Sequence, residues 1–239
     1  MLNMNNSMIG KEKILSNISK IKEEINNICK KISRNPSSIK IIAATKYANA
    51  EQIQILVNNG INNLGENKAD DLVYKSSIVK GNPIWHFIGH LQSNKVKKVV
   101  PLVEYIHSID NLKTLEKINN FAASINKVQK VLIEVNVSNE ETKFGIKLEE
   151  VIDFIANALK YGNINICGLM TMAPLTDDYD FIRNVFKNLR IKLEESNNYF
   201  KSLNLNVNLT ELSMGMSNDY LLAIQEGSTM VRIGSAFFK

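Results

Sequence analysis

The stretch IKIIAATKYA, residues 39–48, is an apolar, β-prone run that ends in a lysine. Its near-continuous apolar character is that of a strand covered on both faces, which is how strands of a parallel sheet read. A charge has no use inside such a strand. Lys46 is therefore expected at the point where the strand leaves the core, and the fold depends on whether further strands of the same kind follow.

They do. Apolar runs of strand length recur at 61–65, 84–89, 105–109, 130–137, 164–170, 209–214 and 230–234, with segments of helical period between them. Asn49 and Gln52 form a capping box ahead of Ile53, Leu56 and Val57, and Gly60 supplies the stop. Asp110 precedes Leu112, Leu115 and Ile118, while residues 149–159 and 181–193 carry apolar positions at helical spacing. Ser93 is expected to cap a short helix closed by Pro101, and Ser217 to cap one that ends before Gly227. Upstream, Ile14, Ile18, Ile21, Ile25, Ile28 and Ile32 recur at steps of four and three. This predicts a helix over residues 8–33, packed on the body of the protein rather than forming a coiled-coil seam.

Eight strands alternating with helices predict an α/β fold of the single (β/α)8 TIM-barrel type, in one domain over residues 1–239. An open doubly wound sheet is the alternative. No G-x-G-x-x-G follows the first strand, and no linker or low-complexity tract divides the chain.

Composition narrows the function. The chain has 239 residues, 44% of them hydrophobic, with no apolar window of the roughly 18 residues that a membrane span needs. Its start, MLNMNNSMIG, lacks the basic and apolar regions of a secretory signal, so a cytoplasmic location is expected. Cys29 and Cys167 lie far apart without CxxC spacing and are expected to be reduced. The net charge of +5 comes from lysines spread along the chain, and only KVKKVV at 95–100 clusters them. With few aromatics nearby to stack on bases, neither nucleic acid nor membrane is expected as a partner, and a mildly anionic small ligand fits the charge.

In a parallel barrel the chemistry gathers at the carboxyl ends of the strands, and phosphate is commonly held by the loops after strands 7 and 8. Those ends read Thr45-Lys46, Gly65-Glu66-Asn67, Gly89-His90, Met170-Thr171, Ser213-Met214-Gly215 and Gly234-Ser235. The last two are small-residue turns before helical segments, where backbone N–H groups and hydroxyls converge on an anion. Lys46 is either a lysine whose head escapes to water at the rim or an amine nucleophile, its protonation weakened by apolar neighbours, that forms an imine with a carbonyl. A phosphate site on the same rim suggests a phosphorylated carbonyl compound, either pyridoxal phosphate (PLP) or a sugar phosphate. Arg232 interrupts the last strand and must either pair with a carboxylate such as Glu134 or Glu211 or face the ligand. His86 and His90 lack a third ligand and their spacing crosses a strand end, so no metal is expected. His86 is expected to hydrogen-bond within the core.

The strings LGEN (64–67), WHFIGHLQSNKVKKVV (85–100), GLMTM (168–172), LSMGMSNDY (212–220) and EGSTMVRIGSAFF (226–238) closely resemble the pyridoxal phosphate homeostasis protein family. The resemblance implies the barrel found in the N-terminal part of alanine racemases, with PLP bound covalently at Lys46 as an internal aldimine. It implies that Ser213, Gly234 and Ser235 hold the phosphate, with Met214 and Gly215 in the same turn, that Asn67 contacts the cofactor, and that Arg232 faces the pyridine nitrogen. A cation there discourages ring protonation and weakens the ring as an electron sink. The chain departs from the family pattern in four places. Thr45 stands where serine is usual, Tyr47-Ala48-Asn49 replace a stretch that often holds proline, Lys68 replaces a tyrosine, and Ser235 stands where threonine is common.

The family reading implies a monomeric carrier for PLP homeostasis and delivery, with PLP-dependent apoenzymes as transient partners and no robust turnover. A racemase needs a second base, supplied by a tyrosine of a separate C-terminal domain, and with five residues after the last strand no such domain is expected here. Two alternatives stand beside the carrier. One is a PLP-dependent racemase or decarboxylase using Lys46 with Tyr47 or His90; the other is a cofactor-free sugar-phosphate aldolase.

Overall fold

The computed structural model describes residues 2–140 and 144–239, with side chains described from Gly10 onward. Eight strands, β1 (Lys40–Ala44), β2 (Asn63–Glu66), β3 (Ile84–Phe87), β4 (Tyr105–Ile109), β5 (Gln129–Glu134), β6 (Ile164–Met170), β7 (Glu211–Ser213) and β8 (Met230–Ile233), each pair in parallel with the next. β8 returns to β1 with Ile42 opposite Arg232, closing the barrel. The helices are α1 (Leu2–Lys31), α2 (Ala50–Asn58), α3 (Ala69–Ile78), α4 (Val96–Val99), α5 (Leu112–Ser124), α6 (Val151–Ala158), α7 (Tyr179–Ser202), α8 (Tyr220–Gln225) and α9 (Ser235–Phe238). The fold is the expected (β/α)8 barrel.

Apolar residues on the outer faces of the strands pack against the helices as the main core, while Ile42, Leu132, Cys167, Met170 and Met230 form a second, smaller cluster in the lumen. α1 packs on α2, α8 and α9 and buries Ile14, Ile18, Ile21, Ile25 and Ile28, each worth roughly 1.5–3 kcal/mol. Ile32 lies beyond the helix end and is exposed. Asn17 of α1 donates its side-chain amide to the carbonyls of Phe237 (3.1 Å) and Lys239 (2.9 Å), tying the first helix to the last turn.

The capping box at Asn49 and Gln52 is present in both directions, at 2.9 and 3.0 Å. Other boundaries differ from the sequence expectation. α7 runs to Ser202 rather than 193, because Ser196 and Phe200 extend its buried stripe through a polar segment. β5 stops at Glu134, since Val135 already bridges to Ile146 outside the barrel ladder. Asn111 caps α5, its side-chain oxygen accepting from the Thr114 N–H at 2.8 Å. Ser93 does not cap: it opens a short 3-10 turn that leads into α4, and its hydroxyl meets that of Thr114. Cys29 and Cys167 are buried and unpaired. Among the described residues no helix is long and apolar enough to cross a membrane.

Candidate functional site

A cavity of about 790 Å³ opens at the C-terminal end of the barrel, walled by the ends of β1 and β8 and the loops after β6 and β7. Lys46, Ser217, Arg232, Gly234 and Ser235 line it, with residues 173–177 on the opposite wall. The volume is in the range of small-molecule and cofactor sites.

The position of Lys46 is set from behind. Lys75 of α3 reaches the buried Glu66 at the end of β2 at 2.5 Å and donates to the Thr45 carbonyl at 2.7 Å. The Thr45 hydroxyl donates to the same Glu66 oxygen at 2.7 Å. This triad pins the end of β1 to β2 and fixes where the next residue emerges. Threonine in place of serine keeps the required donor. Lys46 itself is exposed, its ammonium over the Tyr47 ring at 4.9 Å to the centroid. The expectation that it lies among apolar neighbours is therefore corrected: the chain turns outward right after the Glu66 clamp.

Across the cavity, Ser217 Oγ accepts hydrogen bonds from the backbone N–H groups of Gly234 (3.2 Å) and Ala236 (3.3 Å). Two backbone donors and a hydroxyl thus meet on one wall, beside the exposed Ser235. Ser217, expected to cap α8, instead faces the first turn of α9. Asp219 fills the turn before α8, its carboxylate accepting from the Met216 N–H at 2.5 Å. Burial raises the Asp219 carboxyl above its usual range.

Ser213 is not on this wall. It is fully buried in the lumen, accepting from Arg232 Nη1 at 2.6 Å and bonded to His107 Nδ1 at 2.9 Å. As the last residue of β7 it alternates inward with Glu211, which turns its hydroxyl away from the rim. Met214 is buried beside it, and Gly215 adopts φ +92 where an added Cβ would lie 2.5 Å from Ala223. Both build the turn that carries Ser217 to the cavity.

Arg232 is 5% exposed. Its Nη1 also donates to the Ser213 carbonyl at 2.7 Å and its Nη2 to the Thr171 carbonyl at 2.9 Å. It pairs with neither expected carboxylate: Glu211 is taken by Lys40 and Thr229, and no ion pair joins Arg232 to Glu134 among the described residues. Burial lowers the guanidinium to about 10, against the pull of Glu134 and Asp219, so it remains a cation at neutral pH. Glu134 is pushed up to about 7 by burial and by Asp110, despite the opposing effect of Arg232.

Asn67 stands at the end of β2, and its side-chain Oδ1 is buried with no hydrogen-bond partner. Gly89 makes this possible, since a Cβ there would lie 2.3 Å from the Asn67 carbonyl oxygen. Lys68 is exposed at the start of α3 and does not line the cavity. His90 faces Asp110 at 3.6 Å and stacks on Phe144. In the basic cluster, Lys95 and Lys98 are both engaged by Asp70, at 2.9 and 2.7 Å.

Lys46, Arg232, Gly234 and Ser235 thus come together on one cavity. Ser213, Met214 and Gly215 support it from behind, and Asn67 stands apart from the lining. Sequence reasoning missed two parts of the site. Ser217 was legible only as a cap, although it lies in the same small-residue turn as Ser213. The wall at 173–177 follows β6, where the strand end alone gave no signal.

Comparison with known proteins places the chain in a family. The model of the alanine racemase N-terminal domain matches residues 16–239. A pyridoxal phosphate homeostasis protein of Aquifex aeolicus is 37% identical over 222 residues, covering 92% of this chain and 95% of that protein. One from Synechocystis is 35% identical, covering 87% and 94%. Among solved structures, PipY of Synechococcus elongatus with PLP bound superposes with a TM-score of 0.78 at 27% identity, covering 90% of this chain and 100% of that one. With its barrel, rim lysine and serine-glycine wall, the chain belongs to the alanine racemase N-terminal domain family and, within it, to the pyridoxal phosphate homeostasis proteins.

Proposed function

We propose that this protein takes part in PLP homeostasis by binding PLP in the β1–β8 cavity, covalently through Lys46, and releasing it again. One observation carries the reading. An amine, an anion-accepting wall and a buried donor-only cation share a single cavity of cofactor size.

When bound, the cofactor supplies a reactive aldehyde and an electron-withdrawing ring. Lys46, at the rim of the cavity, would supply the amine that holds the cofactor by its aldehyde. Ser217, whose Oγ accepts from the Gly234 and Ala236 N–H groups and so keeps its own proton to donate, would hold the phosphate together with Ser235. Arg232 presents only donors, so it would favour an unprotonated ring nitrogen beside it. That weakens carbanion chemistry and favours storage over turnover. Tyr47 lies on the same side as Lys46, against its ammonium, rather than opposite it, and His90 is engaged by Asp110 and Phe144. Neither is placed as the opposing base of a racemase. The carrier acts as a cytoplasmic monomer with PLP-dependent apoenzymes as its transient recipients.

Mixing the purified protein with PLP should give a visible absorption band. Borohydride reduction followed by peptide mapping should place the cofactor on Lys46. Solvent-deuterium exchange at the α-carbon of any amino acid, at a rate of sustained turnover, would replace the carrier by the racemase reading.

A further inference from the structure

Behind Arg232 a line of polar side chains crosses the lumen, one residue each from β8, β7, β4, β3 and β2, buried except for the half-buried Asn63 at its end. Arg232 Nη1 meets Ser213 Oγ at 2.6 Å, Ser213 Oγ meets His107 Nδ1 at 2.9 Å, His107 Nε2 meets His86 Nδ1 at 3.0 Å, and His86 Nε2 meets Asn63 Oδ1 at 3.1 Å. Ser213, His107 and His86 are fully buried. Burial, with Lys40, holds His86 down to about 3. Burial also keeps His107 well below its usual range, helped by the positive charges of Arg232 and Lys40. Both rings are therefore neutral, and each carries one proton.

The guanidinium decides where those protons sit. Arginine only donates, so Ser213 Oγ accepts from it and must direct its single proton to His107 Nδ1. His107 is then the Nε2–H tautomer, donates to His86 Nδ1, and leaves His86 to donate from Nε2 to Asn63. The reverse polarity would give Ser213 two donors and strand its own proton in a fully buried site, a cost without compensation. In the first arrangement every bond points away from the cation, and aligned bonds in a low dielectric strengthen one another.

We propose that Ser213, His107 and His86 are positioning residues whose one-way hydrogen bonds lock Arg232 in orientation at the cavity wall, so that its remaining donor capacity is aimed at the ring of the bound cofactor. The proposal rests on the PLP reading above.

Long-range nitrogen–proton NMR of the unaltered protein without cofactor should show both imidazoles as Nε2–H tautomers. In Ser213→Ala, His107 should acquire an Nδ1–H population, and the PLP dissociation constant should rise about tenfold, as expected when a hydrogen bond to a charged group is lost. The visible band of the bound cofactor should shift at the same time. An Nδ1–H tautomer at either ring of the unaltered protein overturns the proposal. So does a Ser213→Ala variant that only melts earlier, with tautomer, affinity and band unchanged, since that is what a merely structural role gives. If the unaltered protein takes up no PLP, the cofactor reading fails instead, and the tautomers still decide the direction of the bonds.

Discussion

Lys75 and Arg232 are both buried cations, 7% and 5% exposed, yet the barrel treats them differently. Lys75 is closed off: Glu66 lies at 2.5 Å, and the Thr45 carbonyl takes a second donor. Arg232 donates to two carbonyls and a hydroxyl and to no carboxylate among the described residues, while Glu134, the acid it feels most, is held toward neutrality. A buried charge with its counter-charge in place is a fastener. A buried charge without one keeps electrostatic capacity in reserve for something that arrives later. The fastener lies behind Lys46, and the reserve lies across the cavity from it.

Substitutions that probe this contrast rank by their expected effect on stability. Lys75→Met leaves Glu66 buried and unpaired and should cost about 3–5 kcal/mol in denaturant unfolding. A loss under about 1 kcal/mol would mean that the pair is not the fastener described. Glu134 comes next. Its carboxyl is raised in the folded state to about 7, so its contribution is present at acid pH and is lost as pH rises toward that value. The full change is about 3 kcal/mol. His86 has the opposite sign: its folded value is depressed, so its contribution is present above its ordinary value and is lost as pH falls. Unfolding measured between pH 5 and pH 7 for Glu134→Gln against the parent isolates the first slope. Equal slopes would show Glu134 to be ionised and Arg232 to be paired after all.

Arg232→Met should cost less than Lys75→Met, about 1–3 kcal/mol for the acceptors it deserts, while abolishing the normal spectrum of bound PLP. Lys46→Ala should be the mildest, within about 0.5 kcal/mol of the parent by thermal melting, because the residue is exposed. Borohydride should then fix no cofactor on the protein. Covalent capture that survives would move the amine to another lysine.

The barrel was legible because strands buried on both faces announce themselves as unbroken apolar runs, and eight of them alternate with helical stripes. The end of α7 was not, since the segment after Leu193 is asparagine-rich and only Ser196 and Phe200 turn inward there. Within the site, Lys46 and the β8 turn followed from their places at strand ends. Ser217 rather than Ser213 faces the cavity, because both lie in one small-residue stretch and strand alternation sends Ser213 into the lumen. The Asn63–His86–His107 line lies outside what one sequence conveys, since its members meet only across the lumen of a closed barrel.

The seam where β8 meets β1 has a consequence for the life of the chain. Lys46 follows β1, while Arg232 belongs to β8 and Gly234 follows it, so the amine and the arginine–glycine wall come from strands that are neighbours in space and far apart along the polypeptide. A ribosome-bound intermediate lacking its final strands has the lysine but neither the arginine nor the glycine turn. With the proposed site, PLP would be retained only by molecules whose synthesis has passed that point, and occupancy would become a record of completed assembly.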